Sequence, residues 1–185
     1  MKKSRKGYTL IELMLAMAIL SILAASLSAL LSTGSNLFAN AEKSYQSQIE
    51  ARTALSYITV KIRQNDASGA IEVKRIGNIS SLSGEERDVL IIKEHLGGGK
   101  CWLIYFENGV LYEKYCDLSS VSPEELHLMP AHVITEGLSA VLMEEELQAE
   151  DSGRKALSVK IEYLDAGAQT GKKTLKSKIV LRAEY

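Results

Sequence analysis

The feature that most constrains this chain is a single acid inside a long apolar run near the N-terminus. From Tyr8 to Leu31 the only charged side chain is Glu12. A short basic leader that ends at Gly7 precedes this run and carries Lys2, Lys3, Arg5 and Lys6. About 22 apolar residues that rise roughly 1.5 Å each span about 30 Å, which is enough to cross a bilayer. The run therefore predicts a membrane helix with one carboxylate that needs a partner.

An ionised acid in lipid costs roughly 2.5–3.5 kcal/mol on insertion scales. The apolar run offers Glu12 no evident partner. A protease that cut after Gly7 would create one, because the new amino terminus on Tyr8 is a cation. Glu12 of one subunit is then expected to dock beside the Tyr8 amine of another subunit. This reasoning predicts helices that stack in an assembly.

Gly7, Tyr8 and Glu12 resemble the class III signal sequence of the type IV pilin family. The resemblance implies cleavage by a prepilin peptidase after Gly7 and methylation of the Tyr8 amine. It also implies partners: other minor and major pilin or pseudopilin subunits, an inner-membrane assembly platform and membrane lipid. Many major pilins carry a helix-kinking proline near the end of the apolar run. This run has none, which favours a minor pilin or a pseudopilin.

Charge supports an outward-facing domain that does not bind nucleic acid. Removing the four leader cations from the 22 basic residues leaves 18 against 23 acidic residues. A mildly acidic body argues against nucleic-acid binding. The leader stays in the cytoplasm by the positive-inside rule, so the rest of the chain faces outward. We expect a single-pass protein of the cytoplasmic membrane that enters a surface or periplasmic filament.

Two other interpretations of the N-terminus stay open from the residues alone. One is a secretory signal peptide with a cleavage site near Ala25 to Ala29, which an acid early in the apolar core disfavours. The other is a plain anchor that holds an exported binding or enzymatic domain. The first residue of the mature protein separates them: Tyr8 for a pilin-like protein, a residue near Leu30 for a secreted domain, Met1 for a plain anchor.

The pattern along the chain predicts an α+β fold, with a long N-terminal helix packed on an antiparallel sheet. We divide it into a leader (1–7), a membrane and assembly helix (8–31), an amphipathic continuation of that helix (32–66) and an antiparallel β domain (67–185). One helical face is predicted from residues three and four apart: Phe38, Ala41, Tyr45, Gln48, Arg52, Leu55, Ile58 and Ile62. Asn65 and Asp66 supply the stop.

Short runs rich in β-branched and aromatic residues predict seven strands after residue 70. They are Ile71–Ile76, Asp88–Lys93, Cys101–Glu107, Val110–Cys116, Gly137–Met143, Ala156–Leu164 and Lys173–Arg182. The strongest local signal is Asn108-Gly109, because a type I′ hairpin turn needs positive φ at both positions. A capping-box pattern at Ser122 predicts one or two helical turns before Pro130.

The hairpin predicts where the two cysteines meet. Centring the turn on Asn108-Gly109 places Cys101 directly opposite Cys116, within about 4.5–5.5 Å between Cβ atoms. We predict a disulfide, which would contribute roughly 3 kcal/mol by closing a loop of about 15 residues. The alternative is a pair of reduced structural thiols. In the simplest register the two cysteines form a hydrogen-bonded pair of the strand ladder. The Cβ separation of such a pair is less favourable, so a small distortion is needed to form the disulfide.

Catalytic, cofactor and metal sites are not predicted. His95, His127 and His132 are scattered, and two cysteines without nearby histidines do not make a zinc site. The acids Glu144 to Glu146 lack the spacing of a calcium loop. The segment 167–174 is a poor match to a phosphate-binding loop and is better explained as a hairpin. Trp102, Tyr105, Tyr112 and Tyr115 are expected to pack on sheet faces.

The strand pattern after residue 132 adds a weaker resemblance, to W-type minor pilins and to J-type minor pseudopilins of type II secretion. We therefore expect a minor type IV pilin that helps to initiate or cap filament assembly. The alternative within the family is a minor pseudopilin of a type II secretion or DNA-uptake system.

Overall fold

The computed structural model describes residues 9–77, 79, 86–94, 98–117, 125–147, 155–165 and 171–181. It divides into two compact units, residues 1–42 and 43–185. Helix α1 (Leu10–Gln64) begins in the first unit and ends in the second. Of the predicted site residues, Gly7 and Tyr8 lie outside the described part of the chain, as do His95 and the first half of the phosphate-loop-like segment.

The predicted helix is confirmed, and it continues through Gly34 without interruption. It ends where expected, because the Asn65 side chain donates to the carbonyl of Lys61 at 2.9 Å and competes with helical bonding. Its last turn carries Lys61 and Arg63, which favour a helix C-terminus.

The buried face of α1 differs from the predicted one. The fully buried residues are Ala51, Ala54, Ile58 and Ile62, whereas Arg52 is exposed and Tyr45 is 66% exposed. The isoleucines were predicted correctly. Two alanines lie at the contact between the helix and the sheets, where larger residues were predicted. Their small side chains let the helix approach the sheets closely.

Eight strands follow the helix in the described residues. They are β1 (Ile71–Ile76), β2 (Arg87–Lys93), β3 (Lys100–Glu107), β4 (Val110–Asp117), β5 (His132–Thr135), β6 (Leu138–Leu147), β7 (Lys155–Leu164) and β8 (Lys172–Val180). A short 3₁₀ helix (Leu126–Leu128) precedes β5 and confirms the helical turn expected before Pro130. The strand β5 was not predicted.

The strands form two antiparallel sheets rather than one. The first has the order β1-β2-β3-β4-β5 and the second the order β6-β7-β8. Residues from both sheets join the buried face of α1 in one core, for example Ile92 and Ile104 from the first sheet and Val159 and Ile161 from the second. The α+β class is thus confirmed, with the correction that the sheet is split.

The first sheet is buried on both faces. Its second core contains Val89, Ile91, Leu103 and Tyr105 and is covered by Ile79 and Leu126. Alternate residues of each strand enter opposite cores, as the period of two requires. Trp102 and Tyr115 accordingly form a tilted ring pair on the helix side. Tyr105 and Tyr112 stack on the other side.

Candidate functional site

The start of α1 is organised by a reciprocal pair of side chains, Thr9 and Glu12. The backbone N–H of Thr9 donates to Oε2 of Glu12 at 3.0 Å, and the Thr9 hydroxyl donates to the same oxygen at 3.2 Å. The backbone N–H of Glu12 donates in turn to Oγ1 of Thr9 at 3.4 Å. This is a capping box, in which two otherwise unpaired N–H groups of the first helical turn are satisfied.

The capping box corrects one expectation. The apolar run was expected to offer Glu12 no partner, yet Thr9 supplies two hydrogen bonds to its carboxylate. The signal was present, because Thr9-Leu10-Ile11-Glu12 has the S/T-x-x-E pattern. Both Thr9 donors are neutral, however. The described residues form no ion pair with Glu12, so within this part of the chain its charge is hydrogen-bonded but not neutralised.

The first unit presents apolar side chains outward. Every described residue from Thr9 to Glu42 is exposed, and exposure of the large apolar side chains ranges from 52% at Ile19 to 77% at Leu10. By length and composition α1 can cross a membrane. Exposed surface of this kind is stable only against lipid or other protein, because leaving it in water forfeits about 25 cal/mol per Å².

Three small polar residues of this unit donate hydrogen bonds to carbonyls of the same helix. The hydroxyl of Ser21 donates to the carbonyl of Ala18 at 2.8 Å, and that of Ser26 donates to the carbonyl of Ile22 at 2.9 Å. Thr33 makes the same kind of bond to Ala29 at 3.0 Å. These hydroxyls therefore do not add an unpaired polar group to the apolar surface.

In the second unit, the cysteine pair lies where the hairpin predicts. Asn108 and Gly109 have φ of 49° and 84°, and the strands pair from Glu107 opposite Val110 to Cys101 opposite Cys116. Both cysteines are buried, and their sulfur atoms are 3.8 Å apart. Burial raises the pKa of the Cys116 thiol. The register is confirmed, and the disulfide bond stays a prediction.

A polar network joins the second half of α1 to β4. Lys61 forms a salt bridge with Glu113 at 2.8 Å, and the Tyr57 hydroxyl donates to the same carboxylate at 2.8 Å. The Lys61 ammonium also lies 4.5 Å from the centre of the Trp102 ring. Burial and the neighbouring Glu113 carboxylate raise the pKa of Tyr57. This acid has a cation supplied by its own chain, whereas no described residue supplies one to Glu12.

A buried lysine holds the outer covering of the first sheet. Lys114 is 2% exposed, and its ammonium donates to the carbonyls of Ile79 at 2.5 Å and Leu126 at 2.7 Å. It also lies 5.7 Å from the centre of the Tyr105 ring. Desolvation lowers the pKa of Lys114. These contacts join two separate segments to β4, so the role of Lys114 is structural.

The candidate metal and ligand residues are dispersed. Within the part of the chain that the structure describes, no three metal-ligating side chains come together. Glu144 and Glu146 are exposed, and Glu145 accepts a hydrogen bond from the backbone of Val73. An open groove along α1 is lined by Ile49, Arg52, Thr53, Ser56, Tyr57 and Val60. It lacks a nucleophile paired with a base.

Comparison with protein families decides the class. Residues 2–28 match the model of the prokaryotic N-terminal methylation motif. The chain is a type IV pilin-like protein. This motif, together with the apolar helix, supports membrane anchoring and assembly into a filament. It implies processing by prepilin peptidase and points to a structural rather than a catalytic protein.

A second family model covers part of this pilin-like protein's second unit. Residues 49–132 match a domain of unknown function, DUF4860. The match begins within α1 and ends at the first residue of β5, so it includes the polar network and the cysteine hairpin. No curated protein and no solved structure gave a match.

Proposed function

We propose that this pilin-like protein is a minor type IV pilin, which helps to initiate or cap assembly of a filament. The observation that carries the proposal is the state of Glu12. Its carboxylate accepts two hydrogen bonds from Thr9, but within the described residues it has no cation. An acid in an apolar surface that is capped but not neutralised is poised to accept a cation from a neighbouring molecule.

Proteolysis supplies that cation in this account. The precursor inserts with its leader in the cytoplasm and is cut after Gly7. The amine of Tyr8, which is methylated, keeps its positive charge. It then docks beside Glu12 of an adjacent subunit and offsets the cost of burying the carboxylate. A charge pair inside an apolar assembly favours one axial register, because a shifted helix leaves both charges unpaired.

The apolar half of α1 provides the packing surface for this assembly. It carries small residues that permit close helix approach: Ala16, Ala18, Ser21, Ala24, Ala25 and Ser28. The internal hydrogen bond of Ser21 means that its hydroxyl does not need a partner in the assembly. The absence of proline from the run favours a minor pilin or a pseudopilin, and the weaker resemblance of the later strand pattern favours a W-type minor pilin. The same features suit a J-type pseudopilin, or a subunit of a DNA-uptake machine.

On the outer side of the membrane, Cys101 and Cys116 form a disulfide in this proposal. Their sulfur atoms must move from 3.8 Å to about 2.05 Å, which a small change of side-chain torsion and strand geometry achieves. A buried thiol with a raised pKa is a poor nucleophile, so we expect oxidation before the hairpin is covered. Intact-mass measurement without reductant tests it by the loss of two hydrogens.

The experiment that tests the proposal compares two glutamates on the same helix. Glu12→Ala is expected to leave expression and membrane insertion intact but to remove the protein from sheared filaments. Glu42→Ala is the matched control, because Glu42 is exposed on α1 and lies outside the apolar run. Filament fractions that contain the Glu12→Ala protein at the wild-type level would refute the assembly role.

A further inference from the structure

The last strand of the second sheet has an open edge. Strand β8 pairs with β7 over all nine of its residues, from Lys172 opposite Leu164 to Val180 opposite Ala156. Within the part of the chain that the structure describes, no strand lies along its other side. An open strand edge presents unpaired N–H and C=O groups to any extended segment that approaches it.

Hydrogen bonds at the two ends of the ladder show which residues point outward. The N–H of Asp165 donates to the carbonyl of Gly171 at 3.0 Å, and the N–H of Leu181 donates to the carbonyl of Lys155 at 2.9 Å. Hydrogen-bonded and non-hydrogen-bonded pairs alternate along an antiparallel ladder. The odd-numbered residues of β8 therefore bond to β7. The even-numbered ones direct their backbone groups to the open edge: Lys172, Thr174, Lys176, Lys178 and Val180.

The edge of the first sheet at β1 is protected against pairing with a foreign strand. At β1 the N–H of Val73 donates to the side chain of Glu145, which projects from β6. A side chain of the protein thus occupies a donor that a foreign strand would need. Strand β5 is an edge of only four residues. Strand β8 is more than twice as long.

The open edge is also cationic. The outward residues Lys172, Lys176 and Lys178 are exposed, and Lys160 of β7 lies directly opposite Lys176. Lys178 pairs with Glu146 at 2.8 Å and Lys160 with Glu162 at 2.6 Å, both of which lie within the same sheet. Neither Lys172 nor Lys176 forms a salt bridge with another described residue.

Charge selects the occupant of this edge. If two copies paired through β8 around a two-fold axis, Lys176 would face itself or Lys172 would face Lys178, and like charges directly opposite each other destabilise a sheet. Edge lysines are a known means of preventing such self-association. A strand with carboxylates at alternate positions would instead place an acid beside each lysine.

We propose that the β8 edge binds an extended acidic segment of a partner protein as an added antiparallel strand. Backbone hydrogen bonds to Thr174, Lys176 and Lys178 provide the pairing, and carboxylates at every second position face the lysines and set the register. This inference does not depend on the role of Glu12 or on the type of filament.

The test uses the full chain in nonionic detergent micelles and a nine-residue peptide that alternates glutamate with threonine. We expect binding that weakens with added salt, together with slower amide hydrogen exchange at Thr174, Lys176 and Lys178. The amides of Leu175 and Ile179 already bond to β7, so their exchange should change little. A peptide that alternates lysine with threonine should not bind.

Two changes separate strand addition from simple charge attraction. Thr174→Pro removes one outward N–H and leaves the ladder to β7 intact, and edge strands tolerate proline at such positions. It should weaken binding about tenfold relative to Thr174→Ala, which retains the donor. A glutamate–threonine peptide with alternate amides methylated keeps its charge but cannot pair, so it should not bind.

Intact protection of the Leu175 and Ile179 amides in the proline variant shows that it is folded. Three results would each overturn the proposal: no binding of the glutamate–threonine peptide at millimolar concentration, equal binding of its methylated form, or binding without protection at Thr174, Lys176 and Lys178.

Discussion

The two halves of α1 differ in where their apolar side chains find a partner that removes them from water. Residues 10–42 are the more apolar half, yet all of them are exposed in the structure. Residues 43–64 are more polar, yet Ala51, Ala54, Ile58 and Ile62 are completely buried. Burial thus follows the presence of a partner rather than hydrophobicity alone. The second half has its partner within its own chain, and the first half must find lipid or another subunit.

Two carboxylates repeat this contrast. Glu113 in the second unit has a salt bridge from Lys61 and a hydrogen bond from Tyr57. Among the described residues, Glu12 in the first unit has only the neutral donors of Thr9. The second unit neutralises its own acid, whereas the described part of the first unit supplies no cation for Glu12, and in the proposed function that cation comes from another molecule. The following predictions test whether the two regions are as independent as this contrast requires.

The largest effect on stability is expected from Ile58→Ala. Ile58 is fully buried among both sheets, and removing its side chain should destabilise the second unit, the β domain, by about 2–5 kcal/mol. Leu23→Ala is the matched change in the apolar half, where Leu23 is 60% exposed, and it should leave the unfolding of that domain unchanged. Denaturant unfolding followed by Trp102 fluorescence measures both. Equal losses of stability in the two variants would contradict the difference between the two halves of α1.

Exchanging the two acids for amides should produce crossed effects. Glu113→Gln leaves the half-buried Lys61 ammonium without its counter-charge. It should lower the free energy of unfolding of the second unit by about 1–3 kcal/mol. Incorporation into filaments should persist as long as the domain is folded. Glu12→Gln should do the reverse, with unchanged domain unfolding and lost incorporation. The comparison fails if both variants lose the same property.

Loss of the capping box should have a smaller and local effect. Thr9→Ala removes the hydroxyl that holds Glu12 and should destabilise the first turn of α1 by about 1 kcal/mol. Amide hydrogen exchange in that turn should accelerate about fivefold. Thr9→Ser retains the hydroxyl and should behave as wild type. Unchanged exchange in Thr9→Ala would show that the cap contributes nothing.

The smallest effect is confined to alkaline solution. Burial raises the pKa of Tyr105 to about 12, whereas an unfolded tyrosine titrates near 10. The neutral phenol therefore contributes stability that is complete below pH 10 and is lost as the pH rises toward 12. Lys114, whose pKa is lowered, contributes in the opposite direction as the pH rises toward 10.5.

Tyr105→Phe separates these two contributions. The stability difference between wild type and this variant should be constant at neutral pH and should shift in favour of the variant above pH 10. Chemical denaturation at a series of pH values measures it. A difference that stays flat up to pH 12 would mean that Tyr105 ionises in the folded protein as it does in the unfolded chain.

Local rules predicted the features that depend on a few neighbouring residues. The turn at Asn108-Gly109 fixes a two-residue loop, and the pairing of Cys101 with Cys116 follows by counting. The end of α1 follows from Asn65, whose side chain competes for helical carbonyls. The Thr9–Glu12 capping box is encoded just as locally, by the S/T-x-x-E pattern, but it was not predicted.

Features that depend on distant contacts could not be predicted in the same way. The division into two sheets arises because β6 meets β1 through the Glu145 side chain rather than through a ladder, and no local pattern encodes that choice. The buried face of α1 was predicted to include Arg52 but instead includes Ala51 and Ala54. Alanines contribute little to an apolar periodicity, so the pattern did not identify them. Strand β5 is four residues long and too short to give a clear alternation.

The most direct test of the central claim is the intact mass and N-terminal sequence of the protein purified from its native membrane or filament. The account predicts a chain that lacks residues 1–7 and begins at a methylated Tyr8, and a Gly7→Ala variant that keeps its leader. A native product that still begins at Met1, or one cut near Leu30, would leave Glu12 without its counter-ion and would contradict the account.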